Sequence, residues 1–136
     1  MSGSVASTGQ PLSFLAFDFG ARRVGVATGN SLTRSATPLT TVAAEGEARL
    51  AAIAALIAEW RPAELVVGVP FHPDGAPHAN TGRARRFGRE LGARFKLPVH
   101  EVDERYTTTE AAAAGHGDLD AAAAAIILEQ HLAGLP

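Results

Sequence analysis

The 136-residue chain contains no cysteine and only one lysine, one tryptophan, one tyrosine and one methionine. Without cysteine there is no disulfide, no thiolate zinc site and no cysteine nucleophile, and the pattern fits a reducing compartment. The longest unbroken apolar run, Leu50–Ala58, falls far below the roughly 20 residues of a membrane span. No basic start leading into an apolar stretch marks a secretory signal. These absences predict a soluble, cytoplasmic protein with no membrane partner. Chemical signatures are missing too. There is no Walker loop, no dinucleotide-binding glycine fingerprint and no nucleophilic serine elbow, and the five histidines (His72, His78, His100, His116, His131) show no metal-ligand spacing. Asp18-Phe19-Gly20 matches the protein-kinase tripeptide, but the chain is far too short for a kinase.

What is present describes a globular α/β domain. At 46% hydrophobic and 19% charged residues the composition is that of a folded protein, and the length suits one domain. Met1–Pro11, rich in Ser, Gly and Thr, reads as a disordered tail, leaving residues 12–136 as the folded unit. Apolar runs predict strands at Ser13–Phe19, Arg23–Thr28, Ala36–Val42, Leu65–Val69 and Pro98–Val102, the first two joined as a hairpin. Helical periodicity predicts helices at Ala48–Trp60, Asn80–Phe95 and Leu119–Ala133, with a shorter one over Thr107–Ala114. Strands first, then alternating helix and strand, describes a layered α/β domain with a mixed sheet.

The net charge of −2 conceals an uneven distribution. Residues Arg83–Lys96 hold six of the twelve basic residues and one acid, Glu90, so this window carries +5 and the remainder −7. A basic element on an otherwise acidic chain points to a polyanion partner. On the helical wheel Arg85, Arg89 and Lys96 share a narrow sector with Arg86 beside them. The alternative is a solvated helix face, but the window holds too few acids for salt-bridge pairing.

Three acidic positions carry the chemistry. Asp18 lies in the otherwise apolar strand Phe14–Phe19, where a carboxylate is costly unless a metal or a hydrogen-bond network compensates; the other reading is a strand-end aspartate capping the Gly20 turn. Asp120 shares a helical stripe with Ala124, Ile127 and His131, pointing it towards the sheet; it also fits an ordinary acid in a first helical turn behind an Asp118 N-cap. Asp103 and Glu104 directly follow a strand. Alternation sends them to opposite faces, so only one reaches a site on a given face. Carboxylates from a central strand, a strand end and a last helix, without histidine or cysteine, suit Mg²⁺ or Mn²⁺ and therefore phosphate-ester chemistry.

Four blocks then resemble one family in order. They are Ala16-Phe17-Asp18-Phe19-Gly20-Ala21-Arg22-Arg23-Val24-Gly25-Val26-Ala27, Val66–Pro70 with Asp74-Gly75, Asp103–Ala111, and Asp120–Ala124 with Ile126–Glu129. Together they are similar to the YqgF/RuvX family, over nearly all of residues Leu12–Leu132. The resemblance implies a ribonuclease H-like fold, a five-stranded mixed sheet of order 3-2-1-4-5 with strand 2 antiparallel. It implies a nuclease whose acids fall on Asp18, Glu104 (or Asp103) and Asp120; with the residue chemistry above, these acids are expected to hold Mg²⁺ or Mn²⁺, and Arg22, Arg23, Arg85, Arg86, Arg89 and Arg105 to position the nucleic-acid backbone. The implied role is 5′-end maturation of pre-16S rRNA, on RNA and in association with ribosomal particles. Holliday-junction resolution or general RNA and DNA cleavage in DNA repair, or non-catalytic nucleic-acid binding, are the rival readings, and the assembly is expected to be a monomer or homodimer. One departure stands out: only nine residues separate Glu110 from Asp120, where the family usually carries a longer glycine- and lysine-containing segment. This bears on substrate choice rather than on the acids.

Overall fold

The computed structural model describes residues 11–106 and 118–136. The expected tail at Met1–Pro11, apart from Pro11, and the expected helix at Thr107–Ala114 lie outside the described residues. Five strands, β1 (Ser13–Phe19), β2 (Val24–Asn30), β3 (Ala36–Val42), β4 (Glu64–Val69) and β5 (Val99–Asp103), form one sheet of order β3-β2-β1-β4-β5. β2 is antiparallel to both β1 and β3, whereas β4 runs parallel to β1 and to β5. Among the described residues three α-helices complete the frame: α1 (Gly46–Trp60), α2 (Thr81–Phe95) and α3 (Leu119–Ala133).

Element bounds differ from the sequence expectation by one or two residues. β2 begins at Val24 and continues to Asn30, because Ser13–Phe14 at the start of β1 supply partners for Gly29 and Asn30. α1 starts two residues earlier than its apolar stripe, at Gly46, whose φ of 60° only glycine adopts without strain. α1 and α2 both end on a residue in the left-handed region, Arg61 and Lys96, whose N–H groups return to the Ile57 and Gly92 carbonyls. Pro38 sits on β3, an edge strand, where its missing N–H leaves no central ladder bond unmade.

The sheet is buried on both faces, and strand alternation sorts the core. Leu15, Phe17, Val24, Val26, Leu65 and Val67 meet α1 and α2 through Leu50, Ile53, Phe87 and Leu91. Phe14, Ala16, Val66 and Val102 point the other way, against Ile127, Leu128 and Leu132 of α3. By the same alternation Asp18 lies on the α3 face, two residues beyond Ala16. Arg49 of α1 is buried and bonded to main chain: Nε donates to the Ala44 carbonyl at 2.8 Å, and Nη2 donates to the Gly20 and Ala21 carbonyls, each at 3.1 Å. Its guanidinium also lies over the Phe19 ring, 5.5 Å from the centroid. A positive charge that sheds most of its water here is satisfied by main-chain oxygens that hold the β1–β2 turn.

Candidate active site

Asp18 stands near the end of the central strand, and two glycines flank it across the sheet. Gly25 of β2 is its partner on one side and Gly68 of β4 on the other. A Cβ on Gly25 would lie 1.8 Å from the Asp120 carbonyl oxygen, so the bare glycine lets the first turn of α3 descend onto the sheet. A Cβ on Gly68 would lie 3.1 Å from the Glu104 side chain and 2.5 Å from Ile127 Cδ1. Glu104 therefore crosses the space above Gly68 to reach Asp18. The start of α3 is fixed in turn by Asp118, whose Oδ1 accepts from the Ala121 N–H at 3.0 Å and from the Thr41 hydroxyl at 2.5 Å.

The acids thus gather on the α3 face. Asp18 and Glu104 are hydrogen-bonded to each other, and the charge of Asp120 acts on Asp18. Burial pushes Asp18 up to about 6; the hydrogen bond from Glu104 opposes this and Asp120 adds to it. Burial, followed by the Asp18 charge and the hydrogen bond to it, pushes Glu104 up to about 8. Near neutral pH the pair accordingly shares a proton, with Glu104 donating to the Asp18 carboxylate. Asp120 faces Arg23, its Oδ2 3.2 Å from Arg23 Nε. A groove of about 410 Å³ opens beside it, lined by Arg23, Thr41, Asp118, Leu119 and Asp120.

Of the adjacent pair left open by the sequence, Glu104 is the residue beside Asp18. Asp103 turns to Arg105, accepting at 2.7 Å from Nη2 and at 2.9 Å from the backbone N–H, and this hydrogen bonding holds its carboxyl below the usual range. The Arg105 guanidinium also lies 5.6 Å from the Phe71 ring centroid, with Arg85 5.2 Å from the same centroid. The loop after β4 is thereby tied to the segment that carries Glu104.

The basic helix differs from the sequence expectation in one respect. Its window is poor in acids, but other elements supply them: Glu101 of β5 pairs with Arg85 at 3.2 Å, and Glu47 of α1 pairs with Arg94 at 3.0 Å. The arginines also divide between two sides. Arg89 lies beside Gly92, Val99 and Glu101, whereas Arg86 and Arg83 line a groove of about 430 Å³ with Phe19, Glu47, Arg49 and Glu90. Arg22, Arg86 and Arg89 are exposed; Arg23, Arg85 and Arg105 each face a carboxylate.

Two acids held above their ordinary pKa make the cation-free protein sensitive to pH. Such groups contribute stability that is fully present below their unfolded values, near pH 4, and is lost as pH rises through about 6 and about 8. In EDTA the Tm should fall by roughly 5 °C or more between pH 5 and pH 9, and Asp18→Asn should flatten the decline. A Tm that holds or rises across this interval in scanning calorimetry contradicts the proton-sharing pair.

A five-stranded mixed sheet of order β3-β2-β1-β4-β5 with helices on both faces defines a ribonuclease H-like architecture. Among solved structures, Thermus thermophilus RuvC in complex with Holliday junction substrate superposes with a TM-score of 0.55 at 18% identity, over 90% of this chain and 94% of that one. Residues 12–134 match the family described as RuvX: Holliday junction resolvase, and the chain belongs to that family. A relative from a Polaromonas species, named "Putative pre-16S rRNA nuclease", is 67% identical over 90% of this chain and 89% of its own length. Relatives of the same name from Albidiferax ferrireducens and Paraburkholderia phytofirmans are 66% and 57% identical, over 88% and 93% of this chain and 76% and 92% of their own lengths. No helix among the described residues is long and apolar enough to cross a membrane.

Proposed function

We propose that the chain is a divalent-metal-dependent nuclease acting on RNA precursors of 16S rRNA, with Asp18, Glu104 and Asp120 as its catalytic acids. The observation that carries this reading is the Asp18–Glu104 pair at the end of the central strand, with Asp120 brought down beside it by Gly25. Two carboxylates held together with too little water to ionise both are a donor set that a divalent cation would suit. All donors are hard oxygens, which fits Mg²⁺ or Mn²⁺. A divalent ion held there would supply Lewis acidity towards a phosphodiester and lower the pKa of bound water.

The remaining work falls to the chain's own side chains. Asp18 and Glu104 would hold the ion as carboxylates, both ionised. Arg23 pairs with Asp120 from the groove side while no substrate is bound. Arg22, Arg86 and Arg89, with Arg23, Arg85 and Arg105 exchanging carboxylate for phosphate, would position the backbone without reading base sequence. The rRNA substrate rests on the names of the close relatives. A second reading, cleavage of branched DNA, is favoured by the family's description and would call for a homodimer to cut two strands symmetrically. Residues 12–136 are taken as one folded unit.

End-labelled pre-16S rRNA fragments, single-stranded DNA and a four-way junction, each with Mg²⁺, Mn²⁺ or EDTA, test the reading. Cleavage of the rRNA precursor by the wild type and its loss in Asp18→Asn is the expected result. Preferred cutting of the junction selects the second reading. Salt-sensitive binding with no cutting of any substrate rejects the nuclease assignment in favour of a binding module.

A further inference from the structure

A second cluster lies at the opposite end of the sheet from Asp18. Glu64 opens β4, His100 lies in β5 and His131 in the last turn of α3, and one donor atom from each falls within 4.8 Å of the others. His100 Nε2 is 2.7 Å from Glu64 Oε1. The His100 and His131 rings stack, with centroids 4.8 Å apart at 29°, and the Phe14 ring meets His131 edge-on at 5.4 Å. His131 Nε2 is buried and has no hydrogen-bond partner among the described residues. A buried ring nitrogen left unpaired next to a second imidazole and a carboxylate calls for an explanation.

We propose that Glu64, His100 and His131 bind one transition-metal ion of the Zn²⁺ class, in a site separate from the acids. Two imidazoles and a carboxylate are a Zn²⁺ donor set, unlike the all-oxygen set around Asp18. Zn–N and Zn–O bonds of about 2.0–2.2 Å put tetrahedral donors about 3.3 Å apart, so the most distant atoms close by about 1.5 Å. Glu64 and His100 have room for this, since their side chains are 24% and 40% exposed, and the exposed side leaves a position for water. The ion would tie β4, β5 and the end of α3 together. Asp120 lies eleven residues along the same helix, about 16 Å away at 1.5 Å per residue. The site stands whether or not the chain cleaves nucleic acid. Its ligands are 36 and 31 positions apart in the chain, so the histidine spacing gave no sign of it and only the fold joins them.

EDTA-stripped full-length protein, titrated with ZnCl₂ in the presence of excess Mg²⁺ to occupy the acids, tests the site. Calorimetry should show one Zn²⁺ per chain with a Kd of about 1 μM or tighter. The Tm should rise by roughly 5–10 °C at a hundredfold excess over Kd. His131→Gln and His100→Gln should each weaken binding by about 100-fold. Glu64→Gln, which keeps a hydrogen bond to His100, covers the case in which a histidine variant fails to fold. It should weaken binding at least tenfold and shift the visible absorption of the Co²⁺-loaded protein. Absence of saturable binding overturns the proposal. So does binding that survives these changes and is lost instead in His72→Ala, whose ring lies 5.1 Å from His78.

Discussion

Glu104→Gln should lower metal-dependent cleavage by about a thousandfold, equivalent to about 4 kcal/mol of transition-state stabilisation, while Asp103→Asn should change it less than tenfold. The two carboxylates are adjacent in the chain but do different work. Glu104 crosses Gly68 to the hydrogen bond with Asp18, whereas Asp103 is held by Arg105. Glutamine keeps a donor for Asp18 and removes the group that must ionise, so the variant should fold and retain its Tm at pH 8. Parallel single-turnover assays and calorimetry on both variants separate loss of chemistry from loss of fold. Equal losses in both, or a larger loss in Asp103→Asn, would reverse the assignment within the pair.

Gly25→Ala should destabilise the protein strongly. The added carbon would lie 1.8 Å from the Asp120 carbonyl oxygen and 2.9 Å from the Ala121 nitrogen. Both are main-chain atoms of a helix, so no rotamer change relieves the contact and the first turn of α3 must lift. A cost of about 3–5 kcal/mol is expected, seen as a large fall in the denaturant midpoint, together with loss of cleavage as Asp120 moves away. Gly82→Ala is the contrasting case. A Cβ there meets nothing within 4 Å on a helical position, and the change should stabilise by about 0.5–1 kcal/mol. Equal effects at the two positions would remove the close approach of α3 as the reason for Gly25.

Most of the frame was legible because its signals are local. Leu65–Val69 is a short valine-rich apolar run, α2 carries a clear 3.6-residue stripe through Ala84, Phe87 and Leu91, and Asp118 is an ordinary N-cap. The strand order came with the family resemblance, not with any one segment. Asp18 stood out as a charge in an apolar strand. The choice of Glu104 over Asp103 did not, because it depends on a 3₁₀ turn (Glu104–Tyr106) that folds the side chain back over Gly68. The partners of the basic helix were hidden for a similar reason: Glu47 and Glu101 lie outside the window and reach Arg94 and Arg85 only when the layers stack. Gly25 and Gly68 did carry a signal. Glycine inside an otherwise apolar strand marks a place where something else comes close.

Arg49 has a consequence for how this region can vary. Its guanidinium grips the β1–β2 turn through the carbonyls of Gly20 and Ala21, groups that every residue type possesses. The grip is indifferent to the side chain at position 21 and makes no contact that depends on its identity. Natural drift or a combinatorial library can thus change the exposed residue at position 21, and with it part of the surface next to Asp18, whereas Gly20 is fixed because a Cβ there would lie 2.6 Å from the Arg23 carbonyl oxygen. The helix residue that holds the turn has no such latitude, because no other side chain delivers this fork of donors from α1.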